Sequence, residues 1–316
     1  MKTNRLTVDG PEVTTVCVGA APLGSMPATY GYEVGEDAAL ATVRRVLKSP
    51  LRFLDTSNEY GNGESERRIG TVLRAAGGLP PGFVIATKAD PAPGASSFSG
   101  ARVLESFDES ADRLGLDRFD VYYLHDPERF AFDHITTPGG ALDTMVALRD
   151  EGLVGAIGVA GGSIPAMRDY LDTGVLDVVL NHSRYTLLDQ SADGLINDVL
   201  DAGARFVNAA PYASGMLAKP ADARPNYQYG RPSEEILTRT ARLRALCDRF
   251  EVPLAAVALQ FSTRDTRISS TVVGVSTPQR VDELTANEAL DIPDGLWDEL
   301  WDLLDHRPRA FVTGGT

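Results

Sequence analysis

A chain of 316 residues that is 43% hydrophobic and 23% charged holds enough apolar material for a large core, which excludes disordered and collagen-like organisation. Thirty Lys and Arg against 44 Asp and Glu leave a formal charge of −14, and no basic run exceeds two residues, so neither a nucleic-acid backbone nor an anionic lipid surface is an expected partner. The N-terminal MKTNRLTVDG has no apolar leader and no stretch nears the ~20 apolar residues that span a bilayer, which makes the cytoplasm the expected location.

In chain order, LTVDGPEVTTV reads as a hairpin with Asp9-Gly10-Pro11 in its turn, a plug beneath the strand that follows. Short β-branched or aromatic runs then alternate with longer amphipathic stretches. Strands are predicted at 15–20, 52–57, 83–88, 119–125, 156–160, 176–181, 205–210 and 270–276, several of them apolar on successive residues, as parallel strands covered on both faces are. Helices are predicted at 36–49, 64–76, 101–114, 139–151, 163–172, 190–202, 234–249 and 253–263, with another following Pro278. Ser233 is a candidate N-cap, and Gly77 and Gly78 stop the second helix. The last amphipathic segment, 294–305, carries Trp297 and Trp301 four residues apart, a packing pattern. Cys17 and Cys247 lie in apolar segments far apart, where buried free thiols are expected.

Eight such units at about forty residues each match a single (β/α)8 TIM barrel over 1–316, with the N-terminal hairpin and C-terminal helix as additions. An open doubly wound sheet fits less well because no G-x-G-x-x-G follows the first strand. In a barrel the ends of the strands carry the chemistry. Asp55, Lys88 and His125 end successive strands, and Tyr60 lies five residues past Asp55. A Lys in a barrel mouth needs a carboxylate, which Asp55 offers, and a neighbouring ammonium would lower the pKa of Tyr60 and make it a usable acid or base. Neutral His125 is placed to donate to a carbonyl oxygen.

No activated Ser or Cys nucleophile stands with these four residues. The histidines, His125, His134, His182 and His306, lack metal-ligand spacing, so no metal is expected. A proton donor beside a carbonyl-polarising group suits reduction of a carbonyl, or the reverse oxidation, and needs a hydride carrier. Ser214-Gly215 after the seventh strand and Ser276-Thr277-Pro278 after the eighth are candidates for holding that carrier's phosphates. Two loops on the same rim, 91–100 and 219–232, are candidate lids or substrate contacts, and Met26, Tyr30, Tyr32, Phe130, Phe132 and Tyr212 are candidate pocket residues.

The run FLDTSNEYGNGESERRIG, together with ATK at 86–88 and YYLHD at 122–126, resembles the signature of the aldo-keto reductase family, and the resemblance spans nearly the whole chain. It implies a barrel that binds NAD or NADP across its C-terminal rim, with Asp55, Tyr60, Lys88 and His125 as a catalytic tetrad. In it, Tyr60 acts as the acid in reduction and the base in oxidation. It further implies cofactor contacts from Gly19, Ala160, Gly161, Asn181, His182, Pro211, Ser214, Gly215, Gly274, Ser276, Thr277 and Arg280. This chain departs from the family pattern at several of these. Ala160 and Gly161 replace a Ser-Asn pair, Asn181 or His182 falls where a Gln is usual, Ala209 replaces a stacking Tyr, and Leu284 replaces an Asn that touches adenine. Gly274 replaces a base that would meet the adenosine 2′-phosphate, which tips the expectation slightly toward NAD. RYTLLDQ at 184–190, APLG at 21–24 and NAAPYASGML at 208–217 resemble the branch of that family whose members oxidise aldoses, L-fucose and D-threo-aldoses among them, or pyridoxal. The expected substrate is thus a small sugar or aldehyde, and the expected state a monomer or homodimer. A broad NADPH-dependent carbonyl reductase and a non-catalytic NADP(H)-binding module are the alternatives.

Overall fold

The computed structural model describes residues 1–8, 10–220, 223, 226–228 and 230–304. An antiparallel hairpin, β1 (Thr3–Arg5) and β2 (Glu12–Thr14), leads into eight parallel strands: β3 (Val16–Gly19), β4 (Phe53–Asp55), β5 (Val84–Ala89), β6 (Phe119–His125), β7 (Val154–Gly161), β8 (Val178–His182), β9 (Arg205–Ala209) and β10 (Ile268–Gly274). Each pairs with the next, and β10 returns to β3, with Gly274 opposite Gly19, to close the barrel. Every predicted barrel strand is present. The signal was strong because these strands are buried on both faces: all six residues of β5, for example, are inaccessible.

The barrel interior is filled by side chains from alternate positions, among them Cys17, Phe53, Val84, Val121, Tyr123, Val178 and Val207. The outward faces pack beneath the helices in a second, larger apolar cluster. Cys17 and Cys247 are both buried and unbridged. Helix ends follow the sequence signals. Ser233 accepts a hydrogen bond from the amide of Ile236 at the start of Glu234–Arg249, and Gly77 closes Glu64–Ala76 in the left-handed conformation. Trp297 and Trp301 stack with ring centroids 6.1 Å apart, and Arg264 covers the Trp297 ring at 4.5 Å, so they do pack. Among the described residues no helix is long and apolar enough to cross a membrane.

The hairpin differs from the expectation in register. Its first strand is Thr3–Arg5 and not residues 6–8, because Leu6 turns inward to sit fully buried with Val13 and Cys17 in the barrel interior. The amide of Leu6 bonds the carbonyl of Pro11 at 3.0 Å across the turn, within which Asp9 lies outside the described residues. The plugging role survives the shift. The final helix is Asp294–Leu303, and His306 lies outside the described residues.

One helix contact depends on a missing side chain. A Cβ on Gly70, within Glu64–Ala76, would lie 1.9 Å from the carbonyl oxygen of Arg113 at the end of the neighbouring helix Gly100–Leu114. Backbone on both sides leaves nothing flexible to yield. Gly70→Ala is expected to cost about 1–3 kcal/mol, read as a lower midpoint in denaturant unfolding at unchanged slope.

Candidate active site

Asp55 ends β4, Lys88 is the penultimate residue of β5 and His125 ends β6, so the closed sheet brings the three to one rim. Lys88 is 1% exposed, and its ammonium is buried with it. It donates to Asp55 Oδ1 at 2.6 Å, to the carbonyl of Thr56 at 2.6 Å and to the Tyr60 hydroxyl at 3.2 Å. Three acceptors satisfy all three of its protons, without which burying the charge would be prohibitive. His125 meets Tyr60 edge-on, with ring centroids 5.6 Å apart. The four residues that sequence reasoning joined thus surround one point.

The electrostatics correct one expectation. The pKa of Tyr60 is not lowered by Lys88. Burial first, and then the charge of Asp55, push the phenol well above its ordinary value. The physical reason is that the ammonium is already matched by a carboxylate and a carbonyl, each closer than the phenol is. Burial also pushes the Asp55 carboxyl up, against the opposing pull of Lys88.

The loop that presents Tyr60 is set by backbone contact. Gly61 adopts φ +63°, and a Cβ there would fall 2.0 Å from the carbonyl oxygen of Gly24. Beyond it, the amide of Ser65 bonds the Tyr60 carbonyl at 3.2 Å, and the Ser65 hydroxyl bonds the carbonyl of Ala20 at 2.9 Å. Tyr60 is thereby tied both to the end of β3 and to the start of Glu64–Ala76.

Sequence reasoning missed a second carboxylate. Asp90, 1% exposed, places Oδ1 2.6 Å from Nδ1 of His125, while its Oδ2 accepts from the Ser57 hydroxyl and from the amide of Glu59 at 2.9 Å. A signal for it existed: along an extended chain, Ser57 is two residues past Asp55 and Asp90 two past Lys88, so each falls on the same side as its predecessor. Although burial would raise it, the His125 charge and these hydrogen bonds hold Asp90 below the usual carboxylate range. Burial alone would lower His125, but Asp90 lifts it above its ordinary value. One ligand atom from each of Glu59, Asp90 and His125 lies within 4.8 Å of the others, although Nδ1 of His125 is already bonded to Asp90.

Asp55, Glu59, Tyr60, Lys88 and His125 line a cavity of about 860 Å³ on this rim. Of the expected cofactor residues, Gly19, Ala160, His182, Pro211, Ser214, Gly215, Gly274, Ser276 and Arg280 line it. Gly161, Asn181 and Thr277 do not. Gly161 is covered by the Glu128 carboxylate, whose Oε1 accepts from the amide of Gly162 at 2.7 Å. Asn181 is buried behind the wall and donates to the Gly161 carbonyl at 2.9 Å. Thr277 instead caps Pro278–Ala289 by accepting from the amide of Arg280. Among the candidate pocket residues, Met26, Tyr30, Tyr32 and Tyr212 line the cavity. Phe130 packs on Phe98 and Phe132 on Tyr170 instead, at 5.8 and 5.0 Å between centroids. The loop 91–100 contributes nothing to the cavity, since Phe98 anchors it in the core, whereas Lys219 and Asn226 of the other loop do line it. Residues 221, 222, 224, 225 and 229 of that second loop lie outside the described residues.

Residues 15–304 match the model of the aldo/keto reductase family. The chain is 32% identical to a D-threo-aldose 1-dehydrogenase from a Pseudomonas species, over 92% of this chain and 94% of that protein. It is 31% identical to a pyridoxal 4-dehydrogenase from Microbacterium luteolum (92% and 94%) and 32% identical to an L-galactose dehydrogenase from Arabidopsis thaliana (88% and 85%). An aldo-keto reductase from Bacillus halodurans, solved in its holo form, superposes with a TM-score of 0.77 at 22% identity, covering 96% of each chain. The chain belongs to the aldo-keto reductase family. It is an NAD(P)-dependent oxidoreductase built on that family's (β/α)8 barrel.

The rim fits a nicotinamide dinucleotide. Gly19 and Gly274 are paired across β3 and β10, and neither puts a side chain into the cleft there; a Cβ on Gly19 would meet Val272 at 3.0 Å. His182 Nδ1 is buried with no hydrogen-bond partner among the described residues, on a residue that lines the same cleft. Ala210 and Ser214 hold positive φ in this wall, a strained backbone of the kind that clusters at ligand sites.

Removing the ammonium tests the centre of the site. Lys88→Met leaves Asp55 buried without its counter-ion and is expected to lower stability by about 3–5 kcal/mol, part of which returns when Asp55→Asn is added. Denaturant melts of the two single variants and the double variant measure that coupling.

Proposed function

We propose that this chain oxidises an aldose at C1 to the corresponding lactone, with Tyr60, Lys88, Asp55 and His125 at the reacting oxygen. The observation that carries the reading is the composition of the cavity. Beside the four residues, its mouth presents Glu59, Asp126, Arg129 and Asn226, donors and acceptors suited to the hydroxyls of a polyol. Relatives named for D-threo-aldose and L-galactose oxidation support the same substrate class. A bound nicotinamide would supply hydride acceptance at the substrate carbon. The residues for holding it are Gly19, Gly274, Ser276 and Arg280 at one end and Ala160 and His182 at the other.

The chain's own groups act on the oxygen. Tyr60 takes the hydroxyl proton in oxidation and returns it in reduction, and Lys88 and Asp55 keep the phenol oriented. The imidazole of His125 meets the oxygen from a second side. Fixing the substrate carbon between these donors and the cofactor cleft supplies catalysis largely through positioning.

NAD is the cofactor this rim favours. No base stands at Gly274, and Arg280 is engaged by Glu283 at 2.7 Å, which reduces what it offers a 2′-phosphate, while Lys219 lies by Gly215 in the same cavity. A second substrate reading, pyridoxal oxidation, is favoured by the aromatic rings of Tyr30 and Tyr32, 6.0 Å apart in the cavity lining, and by the pyridoxal dehydrogenase relative.

A panel of aldoses and pyridoxal with NAD+ and NADP+ tests both readings. Sugar oxidation with at least a several-fold higher kcat/KM for NAD+ is expected, and turnover of aromatic aldehydes with NADPH alone would overturn it. Tyr60→Phe removes a donor to the reacting oxygen and little buried surface. It is expected to lower kcat about 10²–10³-fold while the dissociation constant for cofactor, read by fluorescence quenching, stays within about twofold.

A further inference from the structure

Asp55, Glu59 and Asp126 are the carboxylates that line the cavity, and the first two are answered within the protein. Asp55 accepts from Lys88, and Glu59 stands 3.7 Å from the guanidinium of Arg129. Neighbouring acids that do not line it are answered as well: Asp90 by Ser57, the Glu59 amide and His125, and Glu128 by the amides of Gly162 and Ser163 at 2.7 and 3.1 Å. Asp126 differs from all of these. Among the described residues no hydrogen bond or ion pair reaches its carboxylate, and Lys88 and Arg129 are each matched to another acid.

The backbone holds this acid in place. Asp126 directly follows His125 at the end of β6. Its amide donates to the carbonyl of Ala160 at 2.7 Å, and its carbonyl accepts from the amide of Arg129 at 3.1 Å. The residue sits at φ 42° and ψ 48°, left-handed and immediately before Pro127, where a chain favours extended backbone. Residues kept in such conformations cluster at ligand sites. From this position the charge of Asp126 acts on His125 beside it, on Tyr60 and Glu59 in the loop after β4, and on His182 at the end of β8.

We propose that Asp126 is a specificity-determining residue of this cavity, its carboxylate accepting a hydrogen bond from a hydroxyl on the carbon next to the reacting one. The inference rests on the reading of the site as one for hydroxylated aldehydes and sugars, and it names the group that recognises them. An ionised carboxylate only accepts, so the ligand has to bring the donor. The reacting oxygen belongs to Tyr60 and His125, and a donor that reaches the residue after His125 is then carried by the adjacent carbon. An aldose has a hydroxyl there. A substrate with hydrogen in its place leaves the carboxylate desolvated and unanswered, which is the arrangement that discriminates most strongly against a deoxy analogue. A substrate with a carboxylate in its place meets a like charge that no neighbouring cation offsets. The cavity thus selects neutral α-hydroxy compounds over both.

Four aldehydes test the assignment through kcat/KM in reduction: propanal, 2-hydroxypropanal, 3-hydroxypropanal and glyoxylate. Each value is taken relative to propanal and compared between wild type and variant, so that hydration of the free aldehydes cancels. Wild type is expected to prefer 2-hydroxypropanal over propanal by about 10–100-fold, the range of one hydrogen bond to a charged acceptor, to prefer 3-hydroxypropanal far less, and to disfavour glyoxylate. Asp126→Asn suits left-handed backbone and keeps a neutral acceptor; the hydroxyl preference should fall about 3–10-fold while the glyoxylate ratio rises several-fold. Asp126→Gly adopts the same backbone without strain and removes the acceptor, and its hydroxyl preference should come within about twofold of unity.

An aspartate that served the turn alone would leave both ratios at their wild-type values in the two variants. That outcome overturns the proposal, as does a wild type that fails to favour 2-hydroxypropanal over 3-hydroxypropanal or reduces neither. Sugar oxidation is not read in these assays. Failure to oxidise any aldose would sink the substrate reading and leave the role of Asp126 standing, whereas unchanged ratios in an enzyme that does oxidise aldoses would sink this role alone.

Discussion

An ammonium with almost no water contact has to find its full complement of acceptors within the protein, and Lys88 finds them in Asp55, the carbonyl of Thr56 and the Tyr60 hydroxyl. That requirement organises the mouth of the barrel. It ties the end of β4 to β5, draws the loop after β4 over the rim, and fixes the phenol to a point above the strands. With two acceptors nearer to the ammonium than the phenol is, burial and the neighbouring acids push the Tyr60 pKa above its ordinary value, and what Lys88 gives the phenol is orientation.

Next to this pair stands a second one, Asp90 with His125, offset by two residues along the same strand direction. One pair orients the Tyr60 hydroxyl, and in the other the buried carboxylate lifts the imidazole above its ordinary value. Both carboxylates are buried, so neither pair is screened by solvent, and small changes in their donors are felt directly at the cavity. Along the wall of Gly19, Ala160, Pro211 and Gly274 the lining changes character: small residues keep it low, and Arg280 there is shared with Glu283.

Much of this was readable in the chain. Strands buried on both faces announce themselves as runs of apolar residues, and a polar residue ending such a run stands out, which is why Asp55, Lys88 and His125 were found together. Asp90 was not found because it lies just past the end of its strand, in KADPAPG, where an acid reads as ordinary loop polarity. The family alignment of Gly161, Asn181 and Thr277 put them at the cofactor, but alignment gives position along the chain and not which side of the wall a residue faces. Phe98, Phe130 and Phe132 were unreadable for a similar reason: an aromatic ring in a loop packs outward or inward according to neighbours from other segments.

The sequence by itself determined the number and order of the strands, the closed parallel architecture and the identity of the residues at the ends of β4, β5 and β6, since these follow from local burial patterns and from motifs within a single segment. The tertiary structure decided the register of the N-terminal hairpin, which of the expected cofactor residues line the cavity, the direction in which the Tyr60 pKa moves and the partnership of Asp90 with His125. Each of those depends on distances between groups from different strands, and a charge or a hydrogen bond is settled by the atoms a few ångströms away in space, whatever their separation along the chain.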